Sequence, residues 1–86
     1  MKRIPSRPRS MRDKEIYGYG YARGKCATAV CGTPEFKERH LKALANKDKF
    51  RYTKRGGYFY WLGVCEALFK KLADYCEEQI RNEVKP

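Results

Sequence analysis

The sequence has little of several features on which common functions depend. Histidine occurs once, and no apolar run approaches the ~18–20 residues that a membrane-spanning helix needs. Acidic residues are few, since 10 Asp and Glu stand against 20 Lys and Arg. The segment from Met1 to Lys14 is basic but has no apolar stretch behind it, so it does not resemble a secretory signal. We therefore expect a cytoplasmic protein with reduced cysteines and no membrane partner.

The lone histidine and the short chain also argue against catalysis. With 86 residues the chain can form one small core and has no room for a second. His40 has no recognisable nucleophile or carboxylate partner in the sequence. We predict a non-enzymatic protein without a cofactor.

Positive charge is abundant and unevenly placed. The net charge of +10 divides into +6 over residues 1–25, +5 over residues 26–57 and −1 over residues 58–86. A chain that is cationic over two thirds of its length and nearly neutral at its end suggests a surface that faces a polyanion, and a different opposite side.

The first part of the chain predicts an arm and then a weak strand. Residues 1–14 combine two prolines with six basic residues and offer little to bury, so we predict a flexible basic arm followed by a single domain over residues 15–86. In residues 16–22, Tyr and Gly alternate with a period of two, which is compatible with a strand.

Two helices are predicted further along. Thr33 and Pro34 form a helix start, and an apolar stripe then continues, so the first helix is placed at residues 34–47. From Leu62 to about Glu83 apolar residues recur at intervals of three and four, which predicts a long amphipathic helix.

Residues 48–61 are rich in aromatic side chains and contain a Gly-Gly pair. If residues 54–57 form a turn, the flanking strands separate into an apolar face and a polar aromatic face, as a hairpin on a core requires. The rival interpretation is that the helix already begins at Tyr58, because the apolar spacing there also fits a 3.6 period. We favour the hairpin. The predicted fold class is therefore α+β: a hairpin, with residues 16–22 as a possible third strand, packed on two helices.

The cysteines allow a metal site but do not favour it. Cys26 and Cys31 are separated by four residues, and His40 with either Cys65 or Cys76 could complete a zinc site. A disulfide between Cys26 and Cys31 is a further alternative. Because the other two cysteines lie on the apolar stripe of a predicted helix, we interpret the thiols as structural and predict no metal.

The function favoured by this pattern is nucleic-acid binding, to DNA or RNA, through the basic arm and the basic aromatic hairpin. Cations would follow the phosphates and tyrosine rings would stack on bases. The candidate binding residues are Arg3, Arg7, Arg9, Arg12, Arg23, Lys25, Lys47, Lys49, Arg51, Lys54, Arg55, Tyr58 and Tyr60. The alternative is a small accessory protein, of the kind that phages and mobile elements carry, that binds and inhibits a larger nucleic-acid-processing complex. The sequence indicates neither the oligomeric state nor the protein partner.

Overall fold

The computed structural model describes residues 4–84, and every regular element in that range is an α-helix. The helices are α1 (Met11–Lys25), α2 (Pro34–Phe50) and α3 (Arg55–Val84). No strand occurs among the described residues, so the predicted α+β class, the hairpin and the possible third strand are all wrong.

Helix α1 occupies the segment in which tyrosine and glycine alternate. It begins at a capping box, in which the Ser10 hydroxyl accepts from the Asp13 amide and the Asp13 carboxylate accepts from the Ser10 amide. Gly20 and Gly24 are buried and four residues apart, so they lie on one face of the helix. Of the two glycines in the Tyr-Gly alternation that suggested a strand, only Gly20 therefore lies on the bare contact face of the helix, whereas Gly18 is exposed.

That bare face lies directly against α3. A Cβ atom on Gly24 would lie 2.7 Å from the Val64 carbonyl oxygen and 2.8 Å from the Ala67 Cβ atom. On the α3 side, a Cβ atom on Gly63 would lie 2.7 Å from the Tyr21 amide nitrogen. The two backbones approach this closely only because the side chains at the crossing are absent or small.

Helix α2 forms where the local signals predicted it. The Thr33 hydroxyl accepts from the Phe36 amide at 3.3 Å, and Pro34 occupies the first turn. The helix continues three residues past the predicted end, to Phe50. Its buried residues are Phe36 and Ala43, which pack on the middle of α3.

Helix α3 begins earlier than either sequence interpretation placed it. Arg55, Gly56 and Gly57 form its first turn rather than a hairpin turn. A Cβ atom on Gly57 would lie 2.9 Å from the Phe50 ring, so this glycine lets the end of α2 pack against the start of α3. The aromatic run that follows is then wrapped around a helix instead of being sorted between two faces of a hairpin.

Helix α3 is the central element of the fold. Helix α1 runs parallel to it, since Asp13 contacts Arg55 and Gly24 lies against Val64, whereas α2 runs antiparallel. Within the described chain, α1 and α2 both pack on α3 and not on each other. The core contains Phe36, Val64, Cys65 and Leu68 in one cluster, and Tyr58, Phe59 and Leu62 in a second.

The predicted flexible arm has two parts in the described chain. From Met11 onward it is helical, and Ile4 packs against the second core cluster. The Tyr58 hydroxyl donates to the Ser6 carbonyl oxygen at 3.1 Å, which fastens this segment to α3. The last turns of α3, from Cys76 to Glu83, are exposed and extend beyond the other two helices. The molecule is elongated as a result, with dimensions of 57 × 24 × 20 Å.

Candidate nucleic-acid interface

The topology gathers two cationic segments at one end of the helical bundle. The start of α1 and the turn between α2 and α3 meet there, because α1 is parallel to α3 and α2 is antiparallel to it. We call residues 9–14 and 47–55 the basic end. They include eight basic and two acidic residues, a net charge of +6. Residues 66–83, which run from the middle of α3 towards its other end, contain three basic and five acidic residues, so the charge along α3 changes sign.

Some of the predicted binding residues hold the basic end together instead of facing outward. Arg55 donates from Nε to the Asp13 carboxylate at 2.9 Å, and its Nη2 donates to the second oxygen of the same group. Arg51 donates from Nη1 to the Ile4 carbonyl oxygen at 2.8 Å and lies over the Tyr58 ring. Both arginines therefore have structural partners that a phosphate would have to displace.

The Arg55–Asp13 pair strongly perturbs the carboxylate. Asp13 is 4% exposed, and it accepts from Arg55 and from the amides of Arg9 and Ser10. The Arg55 guanidinium in particular holds the pKa of Asp13 far below its ordinary value of 3.8, and the bond raises the pKa of Arg55 in return. Asp13 thus remains ionised and links the start of α1 to the start of α3.

Arg7 belongs to a second polar cluster, at the side of the bundle. Its guanidinium pairs with Glu66 and lies over the Tyr17 ring, whose hydroxyl donates to Glu66 at 2.6 Å. Burial pushes the pKa of Glu66 upward, but the bonds from Arg7 and Tyr17 together lower it below its ordinary value. Arg7 therefore fastens the chain before α1 onto α3.

Four predicted cations at the basic end remain open to solvent. They are exposed and form no ion pair with any described residue: Arg9, Arg12, Lys49 and Lys54. Lys14 is also exposed in the first turn of α1, and the sequence reasoning missed it. The capping box at Ser10 was the signal that could have located that turn and its cations.

Of the remaining predicted cations, one is half-buried in the basic end and the others lie elsewhere or outside the described residues. The half-buried one is Lys47. Lys25 is exposed at the far end of α1, and Arg23 donates to the Tyr60 hydroxyl at 3.0 Å. Arg3 lies outside the described residues. The structure thus brings the arm and the α2–α3 turn together, but it does not bring Arg23 and Lys25 to the same end.

The two predicted stacking tyrosines do not share the face that the hairpin would have given them. Tyr58 is 5% exposed, so its ring is enclosed in the core. Tyr60 is half-buried, with its ring edge-on to Trp61 at a centroid distance of 5.2 Å. Tyr52, which the hairpin would have placed on the core face, is instead 67% exposed beside Arg51 at the basic end. No local sequence signal distinguishes Tyr52 from its neighbours, because its exposure follows from α2 ending at Phe50.

The four cysteines, His40 and one open groove lie outside the basic end. Between residues 4 and 84, no three His, Cys, Asp or Glu side chains are grouped so that they could hold a metal ion. All four cysteines are free thiols, and the His40 ring lies at the edge of the Phe36 ring. An open groove of about 440 Å³ between α1 and α2 has Trp61 and Val64 among its floor residues and mixed charges on its rim.

No protein-family model, curated protein or solved structure matches this chain. Among the described helices, none has a segment that is both long and apolar enough to cross a bilayer. The function of this protein is therefore inferred from the geometry and charge of the chain itself.

Proposed function

We propose that the protein is a non-enzymatic nucleic-acid-binding protein that contacts phosphates through its basic end. The observation that carries the proposal is the +6 charge gathered from two distant segments at one end of an elongated molecule. A concentrated cationic surface attracts a phosphate backbone and releases its counterions on binding. The acidic segment of α3, residues 66–83, is repelled by phosphate, which favours an orientation with the basic end towards the nucleic acid.

Within the basic end, the exposed cations and the scaffolding arginines have different roles. Arg9, Arg12, Lys49 and Lys54 are free to form ion pairs with phosphates. Tyr52, which is 67% exposed, offers a ring face on which an unpaired base can stack. The hairpin is not part of this proposal; the helical bundle takes its place as the scaffold.

The proposal also includes a cytoplasmic location, with DNA or RNA as the partner and no cofactor. The four free thiols support this location, since a reducing compartment preserves them.

A pair of charge-matched double variants tests the proposal. R12A/K54A removes one Arg and one Lys from the basic end, and R81A/K70A removes the same two residue types from exposed positions on the far half of α3. Binding to single- and double-stranded oligonucleotides is measured by fluorescence anisotropy at two or more salt concentrations. We expect R12A/K54A to weaken binding to all sequences alike, and to reduce the salt-dependence slope on duplex DNA by about 2, or about 0.9 for each lost phosphate contact. R81A/K70A should bind like the wild type.

Equal weakening by the two variants would show that net charge alone, and not the basic end, determines binding. Absence of any oligonucleotide binding at low salt would reject the proposal. If a stoichiometric protein is then retained from lysate after nuclease treatment, the accessory inhibitor becomes the better explanation. Because R12A/K54A leaves the Asp13–Arg55 pair intact, its circular dichroism spectrum should match that of the wild type.

A further inference from the structure

The far half of α3 carries an apolar stripe that nothing in the described chain covers. Between residues 69 and 83 the exposed apolar side chains are Phe69, Ala73, Cys76 and Ile80. Phe69 is 64% exposed and Ile80 is 62% exposed. At about 100° per residue the four lie within an arc of about 60°, so they form one continuous line along about 16 Å of helix.

The opposite side of the same helix segment is already occupied. Lys71 donates to the Ala27 carbonyl oxygen at 2.7 Å, and Gly32 lies against the Tyr75 hydroxyl. The connection between α1 and α2 therefore covers the side of α3 that carries Lys71 and Tyr75. The stripe points away from it and is the only apolar side of this segment open to a partner among the described residues.

The residues of the stripe have the same sequence spacing whether the helix is followed from its N-terminal or its C-terminal end. Its residues are separated by four, three and four positions, in the order large, small, small, large. If a second copy of the helix is laid antiparallel, Phe69 lies opposite Ile80 of the second copy and Ala73 lies opposite its Cys76. Small residues then meet at the centre, where the axes can approach closely, and large residues pack at both ends, which is the self-complementarity that a two-fold interface requires.

The charge distribution favours a second copy of this chain as the partner of the stripe, and it favours an antiparallel arrangement of the two helices. A parallel pair would set two basic ends of +6 side by side, whereas an antiparallel pair places them at opposite extremes. It also brings Lys70 of one helix within reach of Glu77 of the other, because both residues lie on the same flank of the stripe. The surroundings of the stripe are net acidic over residues 66–83, which disfavours a nucleic acid as the occupant.

We propose that the protein self-associates through this stripe, as an antiparallel pair of α3 helices centred between Asp74 and Tyr75. The interface is small, so the association is weak and depends on concentration. The pair would present its two basic ends in opposite directions. The dimer does not depend on the function proposed above, because the stripe and the basic end share no residue.

Charge substitution within the stripe tests both the pairing and its direction. F69K and I80E each place a charge opposite an apolar residue and should weaken dimerisation roughly tenfold or more. The double variant F69K/I80E places each lysine opposite a glutamate of the other copy only if the helices are antiparallel, so it should recover most of the lost association. L41K changes a residue on α2 that is 55% exposed and should leave association unchanged.

Sedimentation velocity over roughly 5–500 μM protein measures the association, a range suited to a small interface. Circular dichroism checks that each variant keeps its helix content. A wild-type protein that stays monomeric throughout the range would overturn the proposal. Recovery no better than that of the single variants would overturn the antiparallel direction.

Cysteine cross-linking gives an independent readout. In the proposed pair the two Cys76 α-carbons are offset by about 4.5 Å along the helix axis, at 1.5 Å per residue, so a short bismaleimide reagent should join them. The variant C76S retains Cys26, which is also exposed but distant from the stripe, and should remain uncross-linked. A dimer that is trapped equally well in C76S would contradict the proposed interface.

Discussion

Replacing Gly20 by alanine is expected to destabilise the protein, whereas the same change two residues earlier, at Gly18, should stabilise it. Both glycines lie inside α1, where alanine is intrinsically preferred by about 0.5–1 kcal/mol. Nothing lies within 4 Å of a Cβ atom built on Gly18, so that variant should gain about this amount.

A Cβ atom on Gly20 would instead overlap with the Tyr60 carbonyl oxygen on α3. Both atoms belong to helix backbones, so no side-chain rotation relieves the overlap and the two helices must separate. Overpacking usually costs about 1–3 kcal/mol, and because two helix backbones overlap here we expect about 3–4 kcal/mol, at or just above that range. After the gain in helix preference, the net loss is about 2–3 kcal/mol, and the two variants should differ by about 3 kcal/mol.

Urea denaturation followed by far-UV circular dichroism measures this difference. With a slope of about 1 kcal/mol per molar urea, typical of a small domain, the midpoints of G18A and G20A should lie about 3 M apart. The two variants have the same composition and change the same helix, so propensity and unfolded-state effects largely cancel. If G20A unfolds at the same urea concentration as G18A or at a higher one, the close α1–α3 crossing is not what stabilises this fold.

Two further predictions concern titratable groups. D13N should lower stability at neutral pH by about 2 kcal/mol, because the bonds from Arg55 and from the Arg9 and Ser10 amides lose the charge of the carboxylate. Since folding lowers the pKa of Asp13, the contribution of Asp13 to the free energy of unfolding is present above pH 3.8 and is lost as the pH falls below that value. The stabilities of the wild type and D13N should therefore converge in acid. Parallel curves of stability against pH for the two proteins would contradict this. Burial raises the pKa of the Cys65 thiol, so at pH near 8 iodoacetamide should modify Cys65 far more slowly than the exposed Cys26. Mass spectrometry measures the two rates of modification. Equal rates would show that Cys65 is accessible to the reagent.

The central position of α3 holds the three-helix bundle together. Helices α1 and α2 do not pack on each other within the described chain, so each depends on its own contact with α3. Helix α2 contributes Phe36 and Ala43 to that contact, while α1 contributes a glycine surface and the Asp13–Arg55 pair. Destabilising either contact should therefore loosen one helix before the other.

Sequence reasoning succeeded where the determining interactions are local. The start of α2 was predicted because Thr33 and Pro34 act on the first turn that follows them. The helical character of α3 from Leu62 onward was predicted because its apolar stripe repeats over many turns. Most of the exposed cations of the basic end were selected as well, because the charge of a segment does not depend on its fold.

Reasoning from sequence failed where a partner far along the chain decides the conformation. Gly-Gly at 56–57 is a turn signal, but here Gly57 is required by the Phe50 ring that packs against it. The hairpin on which the roles of Tyr58 and Tyr60 depended is therefore absent. The signal that was available is the matching four-residue spacing of small residues, Gly20 with Gly24 and Gly63 with Ala67, which indicates two helices in close contact.

The sequence by itself determined the cationic composition, the limits of α2 to within three residues, and the amphipathic character of α3. Only the tertiary structure decided that residues 16–22 and 55–61 are helical, that Arg55 pairs with Asp13, and that two cationic segments share one end. The physical reason is that the charge of a segment belongs to its own residues, and a capping residue acts on the helix turn beside it. A glycine's conformation and an arginine's partner, by contrast, depend on which backbone or carboxylate the folded chain brings against them.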